Sequence, residues 1–372
     1  MDEATIAVFS GTGNAARAAG IVADRLRAAG LAVSTVDLAA GAALPEPSAG
    51  GLLVVCSSTL GFSPPSTVMR ALRRAPRAAP GSRAAVICVC GATMGKTGLT
   101  GGWSGAASIA ALAALGRRGY RAAGSVDVSY PENWTQASPP ATGADRDAML
   151  ARGDAEAAAF GTLLASGQGT FLRRNPLTRS LGRFVGFVFR VLARRALARL
   201  FVADDACTGC GLCAAACPSG AITMRGGRPA WSTACSACNR CINLCPTAAI
   251  QTSTARLVLV LGFNAALMLA APRVARATLA AVAGGSAWPG FGPASFALGL
   301  ALYAALTVLQ LGPLDALLRA AERSKPLRRL LTSGPTKRFP RYLAPGFSPA
   351  TRTESPPGFP SDRRMSLRSR AR

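Results

Sequence analysis

The chain has 372 residues, 50% of them apolar, and a formal net charge of +25 that comes almost wholly from arginine. That length accommodates two or three folded units. Histidine is absent, which excludes histidine-ligated metals and histidine general bases and leaves cysteine and carboxylates as metal ligands.

The charge has two readings. One is an anionic partner: lipid, nucleic acid or an acidic protein. The other is an Arg- and Ala-rich composition expressed on the surface. Its distribution is uneven, because residues 1–160 are near balance while 157–203 contain no acid.

In chain order, "MDEATIAVFSGTGNAA" is acidic and enters a strand almost at once, so it does not read as a secretory signal. Cys56, Cys88 and Cys90 on apolar segments fit a reducing compartment. "TIAVFS" predicts a strand and residues 15–29 a helix. Strands follow at "LAVSTVDL" and "GLLVVCSS", then a helix at "TVMRALRRA" and a strand at "AAVICVCGA". A helix over 105–118, a strand at "AAGSVDVSYP" and a helix over 145–165 complete the set. This alternation, with near-continuous apolar strands, predicts an α/β doubly wound parallel sheet covered on both faces. Ligands then bind at the C-terminal ends of the strands.

The first such end carries "SGTGN", residues 10–14. Two glycines permit a tight turn, and hydroxyls with unpaired helix N–H groups make a phosphate nest. The other reading is an ordinary Gly-rich turn. The segment lacks both the GK[ST] ending of a triphosphate loop and the G-x-G-x-x-G spacing of a nicotinamide site. "GKTG" at 95–98 lacks the upstream glycine and reads as a loop.

Together, "VFSGTGN", "CSSTLGFSPP" and "VCGA" resemble the three flavin loops of a flavodoxin. The resemblance implies flavin mononucleotide (FMN). Ser10, Gly11, Thr12, Gly13, Asn14 and Ala15 would surround its phosphate. Thr59, Leu60 and Gly61 would line one side of the ring, and Cys90, Gly91 and Ala92 the other. Leu60 stands where many flavodoxins place an aromatic ring, and Phe62, Trp103 and Tyr130 are the candidate replacements.

Eight of the eleven cysteines lie in two runs, Cys207, Cys210, Cys213, Cys217 and Cys235, Cys238, Cys241, Cys245. Both spell C-x2-C-x2-C-x3-C-P, the spacing of paired [4Fe-4S] clusters, in which the fourth cysteine serves the other cluster. Cys207, Cys210, Cys213 and Cys245 then hold cluster one, and Cys235, Cys238, Cys241 and Cys217 cluster two. Gly209 and Gly211 relieve crowding near the sulfides; Ala237 and Asn239 are expected to do less of this. Zinc sites use paired knuckles rather than triplets with a final Cys-Pro.

The whole resembles the flavodoxin–ferredoxin fusion family over roughly residues 5–255, with "SYPENW" after the fifth strand and a basic linker before the first cysteine as further features. The expected units are a flavodoxin-like FMN domain (1–168), a basic amphipathic linker helix (169–203) and a dicluster bacterial-ferredoxin-like α+β domain (204–255). Membrane-associated helices (256–318) and a basic, partly disordered cytoplasmic tail (319–372) follow.

On the linker, Arg183, Arg190 and Arg194 fall on one helical face and Phe184, Val188 and Leu192 on another. Such a helix either lies on an anionic membrane or packs the two redox domains together with its apolar face. "LVLVLGFNAALMLAA" is short for a span and "PRVARA" interrupts it, whereas residues 281–314 carry no charge. A hairpin requires the first span to carry Arg273 and Arg276. One span plus an in-plane helix, or helices buried among partners, are the alternatives. The basic tail places the redox domains on the cytoplasmic side of an inner membrane and offers a grip on anionic lipid. No nucleic-acid recognition fold accompanies it.

The resulting expectation is a membrane-anchored electron carrier or oxidoreductase module. Electrons pass between FMN and two [4Fe-4S] clusters, to or from a redox protein, a small-molecule donor or acceptor, or other membrane redox subunits. The alternatives are a flavin-dependent oxidoreductase acting on a small or lipid-soluble substrate, and a structural redox subunit with a decayed flavin site. No catalytic residue is indicated.

Overall fold

The computed structural model describes residues 2–39, 41–95, 98–173, 175–286, 290–322 and 324–349. The middle of the "GKTG" loop and the tail beyond 349 lie outside the described residues.

The first unit runs β1 (Glu3–Phe9), α1 (Asn14–Ala28), β2 (Ala32–Asp37), β3 (Leu52–Ser58), α2 (Ser66–Arg73) and β4 (Arg83–Gly95). It continues with β5 (Gly98–Thr100), α3 (Ala107–Gly116), β6 (Arg121–Pro131) and α4 (Gly143–Ala165). Five strands pair in parallel in the order β2-β1-β3-β4-β6, the doubly wound order with one switch point beside the first strand. Sequence periodicity misses β5, a three-residue strand folded back antiparallel on the end of β4. Along each strand, successive residues enter opposite cores. Ile6, Val54, Ile87 and Val128 pack with α1 and α4, while Ala7, Val55 and Val86 pack with α2 and α3. Burial on both faces is why these strands read as continuous apolar runs.

The linker is helical: α5 (Pro176–Val188), a π turn (Phe189–Ala193) and α6 (Arg194–Leu200). Asn175 caps it by accepting from Thr178 N at 2.7 Å, and proline fills the first helical position. Its orientation departs from one of the two expectations, a bridge packed by its apolar face. Arg190 donates to Ser63 Oγ at 3.2 Å and Arg194 to the Thr233 and Cys235 carbonyls at 2.7 and 3.0 Å. Phe184, Phe187 and Leu192 are exposed instead. The reason is close approach: a Cβ on Gly182 would stand 3.0 Å from Gly105 Cα, and one on Gly186 3.1 Å from the Phe62 carbonyl. The helix therefore bridges the parallel-sheet unit and the cysteine-bearing unit through glycines and arginines, and its bulky apolar face points outward.

The cysteine-bearing unit comprises β7 (Phe201–Ala203), α7 (Leu212–Ala215), β8 (Ile222–Arg225), β9 (Arg228–Trp231), α8 (Arg240–Leu244) and β10 (Ile250–Thr252). Two antiparallel pairs, β7–β10 and β8–β9, enclose a core in which Phe201 stacks on Trp231 with ring centroids 5.5 Å apart.

Two apolar helices follow. α9 (Thr254–Ala283) starts at Ser253, whose hydroxyl accepts from Arg256 N, and runs unbroken through Pro272. "PRVARA" therefore does not end it. At 1.5 Å per residue Arg273 stands roughly 28 Å along the axis, close to the thickness of a bilayer core. The second apolar element is α10 (Phe291–Leu309), a π turn (Gln310–Leu314) and α11 (Asp315–Ala321). Both elements are long and apolar enough to cross a membrane by length and composition. They run antiparallel: Gly299 lies against Pro272, Asn264 donates to Gln310 Oε1 at 2.7 Å, and Tyr303 donates to Asn264 Oδ1 at 3.0 Å. At the base, Asp315 meets Arg199 of α6 at 3.4 Å and Arg256 at 3.9 Å.

The chain beyond the hairpin is not simply a solvated tail. α12 (Lys325–Leu331) and residues 332–349 wrap the cysteine-bearing unit. Arg328 pairs with Asp205 at 2.7 Å, Lys337 with Asp204 at 2.6 Å, and Arg341 donates to the Ala248 and Ile250 carbonyls at 3.0 Å each. Acidic Asp204 and Asp205, in a chain short of acids, are the partners that hold this basic segment down.

Candidate functional site

The two cysteine loops share one backbone form. Gly209 and Gly211 take φ of 71° and 72°, and at the matching places Ala237 and Asn239 take 57° and 57°. The left-handed turn is thus imposed on the second loop without glycine, at a cost in strain. Neighbouring thiols sort into two sets. Cys213 is pushed up to about 12, first by burial and then by the neighbouring thiols of Cys210, Cys207 and Cys245. Cys241 is raised first by burial and then by Cys235, Cys238 and Cys217. Each set of four therefore draws its last member from the other run. Backbone N–H groups of Ala221 and Ala237 point at Cys217 and Cys235 Sγ, both at 3.3 Å.

Among the described residues, no three metal-ligating side chains converge on a single-ion site. A cube of four irons and four sulfides is larger than one ion and holds its thiolates apart. Two crowded, all-cysteine sets of four fit that group by donor chemistry. Cys207, Cys210, Cys213 and Cys245 also line one small cavity with Met224 and Ile250.

A larger cavity, about 660 Å3, opens at the C-terminal ends of β1, β3 and β4. Thr12, Asn14, Thr59, Leu60, Gly61, Cys90 and Gly91 line it. Ser10, Gly11, Gly13, Ala15 and Ala92 are not part of its lining. Ser10 Oγ instead accepts from Gly13 N at 3.0 Å, closing the loop on itself. The outer side of that loop is covered: a Cβ on Gly11 would lie 2.7 Å from the Cys238 carbonyl, and one on Gly13 2.6 Å from Ala344 Cβ. Ala344 N donates to the Thr12 carbonyl at 2.8 Å, and Tyr342 donates to Asn14 Oδ1 at 2.5 Å. Arg240, 3% exposed, donates through Nε to the Gly11 carbonyl at 2.9 Å, and also to the Ser10 carbonyl.

Of the candidate aromatics, Phe62 and Trp103 sit in the cavity wall with centroids 4.3 Å apart. Tyr130 is not available to a ring; it is fully buried and donates to Asp154 Oδ1 at 2.9 Å. The motif reading missed Glu132, Asn133 and Trp134 as wall residues, although "SYPENW" after a C-terminal strand end was the signal for them. Burial raises the Glu132 carboxyl. Asn133 donates to Thr12 Oγ1. No local signal announced the remaining walls. Ala237 and Asn239 come from the second cysteine loop, Phe189, Ala196 and Leu197 from the linker, and Leu257, Val260 and Leu261 from α9.

The polar end, with Thr12, Asn14 and Asn133 beside the α1 N-terminus, fits a phosphate. The loops after β3 and β4 offer backbone and apolar contacts suited to a planar ring. The residues present therefore fit a flavin mononucleotide.

Residues 206–250 match the family model of the 4Fe-4S dicluster domain. A Streptococcus pneumonia flavodoxin is similar over 42% of this chain and 98% of its own, at 19% identity and a TM-score of 0.26. Flavodoxin 1 from Bacillus cereus covers 43% and 98%, at 18% identity and 0.27. An azoreductase from Bacillus anthracis covers 44% and 99%, at 11% identity and 0.30. At such scores the fold assignment rests on the strand order itself. The search of curated proteins gives no match. The chain thus carries an iron–sulfur domain and a flavodoxin-like sheet, of general electron-transfer character.

Proposed function

We propose that this protein is a membrane-anchored electron-transfer protein, with FMN in the large cavity and one [4Fe-4S] cluster on each cysteine set. The observation that carries the reading is a shared wall: Ala237 and Asn239, which flank Cys238, line the same cavity as Thr59 and Gly91. Short separation between a ring site and a cluster ligand is what electron transfer requires. When bound, the flavin would supply exchange between two-electron and one-electron chemistry.

The chain's own residues position these groups. Thr12, Asn14 and the α1 N-terminus would take the phosphate, while Leu60, Gly61 and Gly91 confine the ring. Arg240 ties the phosphate loop to the second cysteine loop. Cys210 is the one exposed thiol among the eight, so the first set faces a redox partner, either a protein or a small molecule. Membrane attachment is supported by the two apolar helices, whose near ends meet at Asp315 beside the redox units. The basic chain beyond them supports a position of those units on the cytoplasmic side of an inner membrane.

Anaerobic purification with iron, sulfide and flavin analysis tests this: about eight irons and one flavin per chain are expected. Four or fewer irons would remove the dicluster reading, and absent flavin the FMN reading. Deleting residues 254–321 should release the chain from membranes.

A second reading, oxidoreductase action on a lipid-soluble substrate at the same cavity, is favoured by one observation. The first apolar helix contributes Leu257, Val260 and Leu261 to the cavity wall.

A further inference from the structure

The cavity has two unlike halves. One is built by the strand-end loops and carries its polar groups. The other is built by Ala193, Ala196 and Leu197 of the linker with Leu257, Val260 and Leu261 of α9. Nothing in a flavodoxin-like sheet calls for this second half, which exists only because the linker and the apolar hairpin stand against the sheet's C-terminal edge.

Three features define what the apolar half suits. First, its outer wall belongs to a helix with an exposed apolar surface: Leu261 is 60% exposed and Leu257 36%. These side chains are shared between the cavity and whatever surrounds the hairpin. With the hairpin in a bilayer, a molecule dissolved in lipid would reach the cavity along these side chains.

Second, the lining is uncharged apart from one carboxyl. The chain has 42 Lys and Arg residues, yet among the described residues lining the cavity none is Lys or Arg. A phospholipid or fatty-acid headgroup buried here would lack a counter-charge. The polar end escapes this objection through the α1 N-terminus, which the apolar half does not have.

Third, flat side chains border it: Phe189 of the linker in its own wall, with the tilted pair Phe62 and Trp103 and also Trp134 facing it from the strand-end loops. Such rings favour an aromatic or quinonoid face. Glu132 packs its stem over Gly91, where a Cβ would lie 3.0 Å from Glu132 Cβ. Its carboxyl, raised by burial, is the one carboxyl among the described lining residues. The π turn at Phe189–Ala193 supports the same conclusion, since it lies where the linker lines the cavity and such turns concentrate at functional sites.

We propose that the apolar half of the cavity is a binding site for a neutral, membrane-dissolved quinone. Its ring would lie against Phe189, beside the strand-end half, and its tail would leave between α6 and α9. This deepens the second reading above and rests on it for the membrane setting, but not on flavin being bound.

The test uses the full chain in lipid nanodiscs with decyl-benzoquinone as probe, read by quenching of tryptophan fluorescence. Flavin and iron contents are measured on the same samples. Saturable quenching is expected. Ala196→Phe and Val260→Phe, which fill the site from two different elements, should weaken binding by about tenfold or more. Val258→Phe, on an exposed position of α9, should leave it unchanged. Iron and flavin contents should be equal in all four proteins. Unsaturable quenching, equal affinity in all variants, or equal competition by decanol, which has the tail without the ring, would overturn the proposal. Saturable, variant-sensitive binding in protein that holds no flavin would overturn the FMN reading and leave this site standing. Flavin present without quinone binding would do the reverse.

Discussion

Arg240 Nε donates to the carbonyl of Gly11 at 2.9 Å, across 229 positions of sequence. The same guanidinium reaches the carbonyls of Ser10 and Ala216, and Phe347 lies under it at 5.8 Å. One side chain thus joins the loop after β1, both cysteine runs and the strap that returns from the hairpin. Hydrogen bonds from a charged donor contribute about 1.5–3 kcal/mol each when buried. Arg240→Met is expected to destabilise the protein by about 3 kcal/mol or more and to lower flavin content, with Arg240→Lys intermediate. Thermal unfolding and flavin fluorescence measure the two effects, and an unchanged melt would show that the junction is held elsewhere.

The crossed thiol sets give an asymmetric expectation. Cys217 belongs by sequence to the first run but neighbours Cys241. Cys217→Ser should therefore disturb the cluster of Cys235, Cys238 and Cys241 and spare the other, leaving about four irons in a spectroscopically normal state. Cys213→Ser should do the opposite. Low-temperature electron paramagnetic resonance of the two reduced variants separates them, and identical residual spectra would contradict the crossing.

Ala237 holds φ 57° where the first loop has a glycine. A left-handed non-glycine residue costs about 1–2 kcal/mol. Ala237→Gly is expected to stabilise the protein by about 1 kcal/mol, read as a rise in unfolding temperature with iron content unchanged. Gly211→Ala should destabilise it.

Tyr342 reaches Asn14 Oδ1 at 2.5 Å from a segment beyond the hairpin. Removing that hydroxyl in Tyr342→Phe should cost about 1 kcal/mol and loosen the strap over Gly13. Faster flavin release in dilution experiments is the expected sign. Release at the wild-type rate would make the strap a packing feature only.

Asn264, Gln310 and Tyr303 link the two apolar helices through side-chain hydrogen bonds. Such contacts within a bilayer contribute about 0.6–2 kcal/mol. Asn264→Leu should lower the hairpin's resistance to unfolding in mixed detergent by that amount, and Gln310→Leu should not add fully to it, because both remove the same bond.

What could be read from the sequence was whatever repeats over a short stretch of chain. Doubled C-x2-C-x2-C-x3-C-P spacing implied two four-thiol sets. Uninterrupted apolar runs such as "LLVVC" implied strands buried on both faces, and their alternation with helices implied the parallel order. "SGTGN" and "CSSTLG" marked the sheet edge where the large cavity opens. The three-residue strand β5 was too short to leave a period, and Pro272 suggested a break where the helix in fact continues, with Gly299 against it.

Other features depended on segments far apart meeting, and no local pattern encodes that. The linker's amphipathicity was legible, but its orientation was decided by how closely Gly182 and Gly186 let the helix approach Gly105 and Phe62. The basic tail was legible as charge, but Asp204 and Asp205 turned it into a strap. Leu257, Val260 and Leu261 read only as part of an apolar helix. They became a cavity wall because ion pairs at Asp315 set the foot of that helix beside the linker and the sheet edge. The sequence by itself determined the main strands and helices, since those follow from backbone period. Only the tertiary structure decided which faces meet and what space they enclose, since that follows from volume and charge brought together across hundreds of residues.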